Sequence, residues 1–329
     1  MNARTEGHGD TTERVKAVDF LTVVYKREVL LLKLQARSFA SFMDPSGVGT
    51  LMIVVNDPDP AGTRALLEEH VMPEYGAFRK SVVVIDATDL PDTQYPVNGW
   101  RRQQSVKLLA AQQLTREHYI ALDAKNHFIK PCSVGDFILP DGRMRTFRTQ
   151  QKGSLQPYFR NVAEYFGVDP EPYVEQSMPA TTPYVLSRPL VVALIDEIER
   201  REGESFADFF HKPKRHITEF FLYFFYLLSL DRPLEQIYRF GPRNTVTLFT
   251  RWPNTEEQLR EALDKIDQPP ILMFGLHSNR AVSIDDHFAR IVRDMWVRVG
   301  LFADDREALT YFNDLRRSID DEAKPLVAS

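Results

Sequence analysis

Asp123 is the residue with the clearest chemical potential, because its carboxylate directly follows a short apolar run and precedes Lys125 by two positions. The run, residues 119 to 122, reads as a buried strand. An acidic side chain at the carboxyl end of such a strand lies where open α/β sheets bind ligands. The pattern therefore predicts a ligand site that combines one carboxylate with one ammonium. In the alternative, the two side chains pair with each other and contact no ligand.

Polar side chains also end the first two predicted strands. Thr22, Tyr25 and Arg27 close strand one, and Asn56 and Asp57 close strand two. In a parallel sheet these strand ends lie along one edge, so we expect their side chains to face a single cleft. The competing interpretation is that they only cap helices and form turns.

The helix predicted before the Asp123 strand has a polar face that carries an aromatic ring. Trp100, Gln103 or Gln104, and Lys107 fall on this face by i, i+3, i+7 spacing. Such a face can bind a nucleotide or a sugar, or it can simply be solvated. We favour ligand binding because this helix leads directly into the strand that ends in Asp123.

The elements that position these residues alternate between strand and helix in the first part of the chain. We expect strands at residues 18–24, 51–55, 81–85 and 119–122, and helices at residues 28–42, 63–70 and 100–114. Solid apolar strands separated by helices indicate a mostly parallel central sheet covered on both faces. The predicted fold class is therefore α/β.

The second part of the chain is predicted to be largely helical. Residues 136–149 read as hairpins or loops, and residues 184–187 and 271–274 as short extended pieces. We expect helices at residues 155–166, 189–201, 217–230, 284–299 and 306–319. The domain prediction is a disordered segment at 1–14, an α/β half at 15–150, and a mainly helical half at 151–329 packed on the same sheet.

Composition excludes several classes of protein. The chain has 329 residues, a formal charge of −5 and one cysteine, so no intrachain disulfide forms and a basic nucleic-acid-binding stripe is not expected. Residues 220–230 form the longest apolar run, which is shorter than the roughly 20 residues that span a bilayer. Glycine-rich dinucleotide, Walker, Gly-X-Ser-X-Gly and His-Glu-X-X-His motifs are missing. We expect a cytoplasmic protein, with peripheral membrane attachment left open.

Over roughly residues 17 to 300 the chain resembles the GT-A class of glycosyltransferases, and more closely a poorly characterised bacterial glycosyltransferase-like family. The resemblance lies in four short stretches, at residues 100–108, 122–126, 218–223 and 274–279. It implies a GT-A-like, Rossmann-like fold. The first half would bind a nucleotide-sugar donor, and the second half a glycan or glycolipid acceptor in cell-surface polysaccharide or glycolipid assembly at the inner face of the cytoplasmic membrane.

The resemblance also implies how the donor is held. GT-A enzymes usually bind it through a divalent metal, Mn or Mg, on an Asp-X-Asp motif, often with a histidine after a late strand. Asp123 and His277 match those places, whereas Lys125 stands where the second acid would be. Either Asp123 and His277 hold a metal, or Lys125 replaces the metal on the donor diphosphate. We favour the second, because a fixed cation does the same electrostatic work on a leaving diphosphate.

The expected site residues follow from these patterns. The catalytic candidates are Asp123, Lys125, Glu219 and His277. The expected donor contacts are Thr22, Tyr25, Arg27, Asn56, Asp57, Trp100, Gln103, Gln104, Lys107, Asn126, Asn279 and Arg280.

Glu219 is the candidate general base that deprotonates the acceptor hydroxyl. Its alternative role is a first-turn carboxylate favoured by the helix dipole. Asp285 and Asp286 compete for the role of base, although both can be helix caps. The alternative function is a catalytically silent protein that binds a sugar nucleotide or a glycan, and Lys125 keeps that alternative open.

Overall fold

The structure is a computed structural model that describes residues 17–91, 99–212, 215–230 and 232–323, with side chains to residue 320. The predicted disordered segment at 1–14 lies outside the described residues. The strands are β1 (Val18–Val24), β2 (Val48–Val55), β3 (Val82–Asp86), β4 (His118–Asp123), β5 (Asn126–Phe128), β6 (Met144–Phe147), β7 (Tyr184–Ser187), β8 (Tyr238–Gly241), β9 (Thr245–Leu248) and β10 (Met273–Leu276).

Helices cover the sheets and form most of the second half of the described chain. They are α1 (Val29–Phe42), α2 (Pro60–Leu66), α3 (Gly99–Leu109), α4 (Gln156–Tyr165), α5 (Arg188–Glu202), α6 (Phe206–His211), α7 (Glu219–Ser229), α8 (Glu256–Asp264), α9 (Ser278–Ser283), α10 (Asp286–Arg298) and α11 (Asp305–Ala323). The predicted helix at 63–70 begins earlier, because Pro60 suits a first helical position and Asp59 caps it by accepting from the Gly62 amide at 2.9 Å.

The central sheet has the strand order β3-β2-β1-β4-β7. Strands β1 to β4 are parallel to one another, and β7 runs antiparallel to β4. This architecture confirms the predicted α/β class with a mostly parallel central sheet. The parallel strands are almost wholly apolar because helices cover both faces.

The second half of the chain adds sheet structure beyond the extended pieces predicted at residues 184–187 and 271–274. Strand β10 lies between β5 and β9, antiparallel to β5 and parallel to β9, while β6 and β8 form a parallel pair. Part of residues 136–149 does form a hairpin turn, in which the Leu139 amide donates to Arg143 O. The rest pairs with a strand almost a hundred residues later, and local sequence patterns carry no signal for such pairing.

A single tight turn joins the central sheet to this second sheet. Asp123 ends β4 and Asn126 begins β5, so Asp123, Ala124 and Lys125 span the junction. The Asp123 amide donates to Asn126 Oδ1 at 2.9 Å. Buried Gln35 of α1 donates from Nε2 to the carbonyls of both Asp123 and Asn126, each at 2.9 Å. These bonds fix where the side chains of Asp123 and Lys125 leave the backbone.

Helix α7 lies in the core, as its aromatic run predicts. Phe221, Tyr223 and Phe225 are each at most 1% exposed. The Tyr223 hydroxyl accepts from the Ser187 amide at 3.2 Å. Within the described part of the chain, no helix is both long enough and apolar enough to cross a membrane.

Candidate active site

A cavity of about 270 Å³ opens at the carboxyl end of β4. Eight residues that the sequence nominated line this cavity, namely Trp100, Gln103, Gln104, Lys107, Asp123, Lys125, Glu219 and His277. Helix α3 supplies the first four, the β4–β5 turn the next two, and the starts of α7 and α9 the last two. The wall also includes Glu28, Thr182 and Phe220, which sequence reasoning did not assign to a site.

Both carboxylate oxygens of Asp123 have partners. Oδ1 lies 2.7 Å from Lys107 Nζ, and Oδ2 contacts Lys125 Nζ. Thr182 Oγ1 also donates to Oδ2 at 2.9 Å. Burial alone would raise the pKa of the Asp123 carboxyl, but the two ammonium groups outweigh burial and hold that pKa well below its usual range. Asp123 is therefore an anion that orients two cations.

Lys107 lies between two carboxylates. Besides Asp123, its ammonium donates to Glu219 Oε1 at 3.3 Å and lies 5.3 Å from the centre of the Phe220 ring. Burial lowers the pKa of Lys107, yet the charges of Asp123 and Glu219 raise it above its ordinary value. The lysine stays charged, and its charge is balanced within the protein.

Glu219 is held from two sides. Thr218 caps α7 by accepting from the Phe221 amide at 3.3 Å, which places Glu219 in the first turn. With its amide oriented to satisfy both neighbours, Gln104 donates to Glu219 Oε2 at 3.1 Å and accepts from Trp100 Nε1 at 3.2 Å. Burial raises the pKa of Glu219, and Lys107 opposes that rise. Since both oxygens have partners, Glu219 is poorly placed to take a proton from an acceptor.

Glu28 also lines the cavity, but its carboxyl differs from those of Asp123 and Glu219 in its partners. It ends a short 3₁₀ turn between β1 and α1, and within the described residues its carboxyl forms no ion pair. Burial and, to a smaller extent, the Asp123 charge raise the pKa of Glu28 to about 7, against the opposing effect of Lys125 and Arg27. In the sequence, Glu28 directly follows the polar residues that end strand one. An acidic residue in that place is ordinarily interpreted as part of the first turn of a helix.

The protonation state of His277 bears on whether its ring can serve as a metal ligand. Its Nδ1 accepts from the Asn279 amide at 3.2 Å and lies 3.3 Å from Thr250 Oγ1. Burial, together with the Lys125 ammonium, lowers the pKa of His277 to about 4. The ring is therefore neutral at pH 7, and because Nδ1 is an acceptor the proton lies on Nε2. Such a ring offers a hydrogen-bond donor and no free lone pair.

The remaining donor set does not fit a divalent metal either. Asp123, the other expected ligand, already has a lysine ammonium against each oxygen. Among the described residues, no group of three or more histidine, cysteine, aspartate or glutamate side chains is arranged to hold a metal ion. A divalent cation placed here would meet two like charges.

The strand-end residues form a connected rim beside the cavity. Arg27 donates from Nη2 to Ser278 Oγ at 3.1 Å and to Asn279 Oδ1 at 3.3 Å, which joins the end of β1 to the start of α9. Tyr25 donates its hydroxyl proton to Gly99 O and accepts from Asn56 Nδ2 at 2.8 Å.

Two further nominated residues form hydrogen bonds outside the cavity. Asp57 accepts from the Lys26 amide at 2.8 Å. Thr22 is buried and donates to Gln35 Oε1 at 2.9 Å. Neither lines the cavity, so direct contact with a ligand there is not supported by their positions.

Four nominated polar residues are engaged elsewhere. Buried Arg280 donates to Pro253 O, and Asn126 holds the β4–β5 turn. Asp285 caps α10 by accepting from the Phe288 amide at 2.8 Å, and Asp286 forms an ion pair with Arg316 at 2.7 Å. Asp285 thus has the capping role that was the alternative to catalysis, whereas Asp286 forms an ion pair.

Residues 18–249 match the model of a family described as "Family of unknown function (DUF6492)". The match covers well over half of the chain. The chain belongs to this family. A search of curated proteins finds no significant match to this DUF6492 member.

Several solved structures are similar to this DUF6492 member at low sequence identity. Mouse xyloside xylosyltransferase 1 in its apo form has 16% identity and a TM-score of 0.42, over 78% of this chain and 97% of that one. An active-site mutant of LgtC has 10% identity and a TM-score of 0.44, over 84% and 96%. The galactosyltransferase LgtC in complex with donor and acceptor sugar analogs has 10% identity and a TM-score of 0.41, over 92% and 96%. Similarities this distant carry no argument about activity, which has to be made from the cavity.

Proposed function

We propose that this protein is a glycosyltransferase that moves a sugar from a nucleotide-activated donor to a glycan or glycolipid acceptor. The observation that carries the proposal is the ion cluster of Lys107, Asp123 and Lys125 in a cavity at the carboxyl edge of a parallel sheet. Ligands of open α/β folds bind at that edge. The acceptor class, and assembly of bacterial polysaccharide or glycolipid at the inner membrane face, rest on the family resemblance in the sequence.

Lys125 is the cation that we assign to the donor diphosphate. Lys107 is shared by two carboxylates, whereas Lys125 has Asp123 as its carboxylate partner and is the more exposed of the two lysine side chains, at 14% against 5%. In the transition state the bond from the anomeric carbon to the diphosphate breaks, and its electron pair stays with the diphosphate. An ammonium held at that oxygen stabilises the developing charge, so we propose transfer without a metal.

Glu28 replaces Glu219 as our assigned proton acceptor. The acceptor hydroxyl oxygen forms the new bond to the anomeric carbon, and its proton passes to the Glu28 carboxylate. A pKa of about 7 is well matched to this step at neutral pH. Glu219 becomes a positioning residue, which holds Lys107 and Gln104.

The cavity volume indicates which part of the donor the cavity can hold. At about 270 Å³ the cavity is slightly smaller than the roughly 300–1,000 Å³ typical of ligand sites. We therefore assign it to the diphosphate and the transferred sugar. The nucleoside then lies along the rim formed by Tyr25, Asn56 and Arg27, with Trp100 at the mouth.

The direct test is a turnover panel. Purified protein is incubated with common nucleotide sugars and mixed glycan acceptors, and release of nucleoside diphosphate is measured in parent, Glu28→Gln and Lys125→Met proteins. We expect release with at least one donor in the parent and a large loss in both variants. Tight binding of nucleotide sugars with no turnover across the panel would instead support a silent binding protein.

A further inference from the structure

A second cavity, of about 340 Å³, lies on the parallel pair formed by β6 and β8. Arg145 of β6 and Arg239 of β8 both line it and are exposed. We call it the arginine cavity. Nothing in the proposed transfer reaction uses it, so its chemistry has to be explained separately.

The two arginines are registered neighbours. Arg145 pairs with Arg239 in the strand alignment, and adjacent strands lie only about 5 Å apart. Like charges placed opposite each other on a strand pair are unfavourable. Arg145 Nε donates to Gly135 O at 3.4 Å, and within the described residues neither guanidinium has a carboxylate at ion-pair distance.

The surroundings neutralise only part of this charge. Asp136 is the acidic residue among the described side chains that line the cavity, so one negative charge faces two positive ones. Its carboxylate accepts from the Ser133 amide at 2.8 Å and from Ser133 Oγ at 3.3 Å. Nearby Arg243 lies over the Phe147 ring, with its guanidinium carbon 4.8 Å from the ring centre. The cavity therefore presents surplus positive charge.

Aromatic and hydrogen-bonding groups complete the wall. Phe147, Phe240 and Tyr184 line the arginine cavity together with Thr146 and Asn244. The aromatic residues make part of the wall apolar, and the few polar groups can fix the orientation of a small ligand. Guanidinium groups match carboxylates and phosphates, which they bind through two parallel hydrogen bonds.

One stacked pair of rings separates this cavity from the candidate active site. Tyr184 and Phe220 stack with centroids 4.2 Å apart and an interplanar angle of 3°. Tyr184 lines the arginine cavity, and Phe220 lines the candidate active site. The preceding Thr182 binds Asp123, so residues 182 to 184 form a wall common to both.

We propose that the arginine cavity binds an acidic sugar, a saccharide unit whose carboxylate or phosphate lies between Arg145 and Arg239. The positive charge and the aromatic wall carry this proposal. The choice of a saccharide over another small acid rests on the proposed function, because the neighbouring cavity is assigned to glycosyl transfer.

The test measures binding by NMR chemical-shift titration with glucuronate, glucose 6-phosphate and neutral glucose. We expect at least one acidic sugar to bind the parent, and to bind at least tenfold more weakly to Arg145→Ala/Arg239→Ala. Comparing glucuronate with glucose 6-phosphate shows whether the site binds a carboxylate or a phosphate more tightly. The matched control is Arg290→Ala/Arg317→Ala, which removes the same charge from exposed helix positions and should bind like the parent.

Three results would overturn the proposal. The first is that neither acidic sugar binds the parent. The second is equal binding of the acidic sugars to the parent and to the Arg145/Arg239 variant. The third is binding of glucose as tight as that of either acid. Nucleoside diphosphate binding to the parent is measured on the same samples. A parent that binds an acidic sugar but no nucleoside diphosphate would count against the transferase assignment and not against anion binding in the arginine cavity.

Discussion

Lys107 Nζ lies 2.7 Å from Asp123 Oδ1, so a buried ammonium of α3 is joined to the carboxylate that ends β4. The same ammonium reaches Glu219 at the start of α7. A cation from the first half of the chain thus connects the central sheet to the helical half. The lysine that the sequence suggested as a donor contact has a structural role as well.

Replacing Lys107 by methionine should destabilise the protein strongly. The change keeps the side-chain stem but leaves Asp123 and Glu219 buried with a shared partner missing. Breaking a buried ion pair in this way costs about 3–5 kcal/mol. Urea unfolding measures the loss, with Lys80→Met as the control because Lys80 is exposed. Adding Glu219→Gln should restore part of the stability, and a Lys107→Met protein as stable as the control would refute the ion cluster.

Glu28 should make stability and turnover depend on pH in opposite directions. Its pKa in the folded protein, about 7, lies above the 4.5 of an unperturbed glutamate. The folded state therefore binds the proton more tightly, and the stabilisation this gives at low pH is lost as pH rises from about 4.5 through about 7. Turnover uses the ionised Glu28 carboxylate as a base, so its rate should rise as the pH approaches about 7.

The corresponding measurement compares Glu28→Gln with the parent by unfolding at several pH values. The variant should gain stability relative to the parent as pH increases. Glu257→Gln, at an exposed position, is the control and should follow the parent. Parallel stability curves for the parent and Glu28→Gln would show that the Glu28 carboxyl is not perturbed.

His277 should remain neutral, with its proton on Nε2, throughout the range from about pH 5 to pH 8. Its pKa is lowered from 6.5 to about 4 by burial and by Lys125, so folding loses stability only as pH falls below about 6.5. Nitrogen-15 NMR of the ring reports both the tautomer and the titration. His277→Asn, which keeps a capping side chain for α9, assigns the signal. A ring that titrates near 6.5, or carries its proton on Nδ1, contradicts the bonding described for Nδ1.

Trp100 should report donor binding by fluorescence. Its ring is 55% exposed at the cavity mouth, while its Nε1 donates to Gln104 and its edge meets Tyr158 at a centroid distance of 6.2 Å. A nucleotide or sugar that packs on this ring changes its emission. We expect the change to vanish in Trp100→Phe and to persist in Trp252→Phe. A full signal in Trp100→Phe would place the donor elsewhere.

The sequence was sufficient for the central sheet and for much of the cavity wall. Parallel strands β1 to β4 are solid apolar runs, and residues such as Asp123 and Lys107 lie at a strand end and on a polar helix face that can be read locally. Glu28 and Thr182 could not be found in this way. Thr182 meets Asp123 across 59 positions of the chain, and Glu28 has the ordinary place of a first-turn acid.

The second sheet was predicted only in part, for a related physical reason. Strand β10 matches the extended piece expected at residues 271–274, but its partner β5 lies far from it along the chain and has three residues, too few to show a period. His277 was nominated from its position after an apolar strand, but its neutral state depends on burial and on Lys125. Such pKa shifts arise from tertiary contacts, which the periodicity of the sequence does not reveal.

The central claim is that Lys125 does the work of a metal on the donor diphosphate, and the most direct test is nucleoside diphosphate affinity with EDTA and with manganese. We predict equal affinity under both conditions in the parent. Lys125→Met should bind roughly 10- to 100-fold more weakly, as expected when a charged hydrogen bond worth about 1.5–3 kcal/mol is lost, while Lys80→Met should match the parent. Affinity that vanishes with EDTA and returns with manganese would contradict the claim.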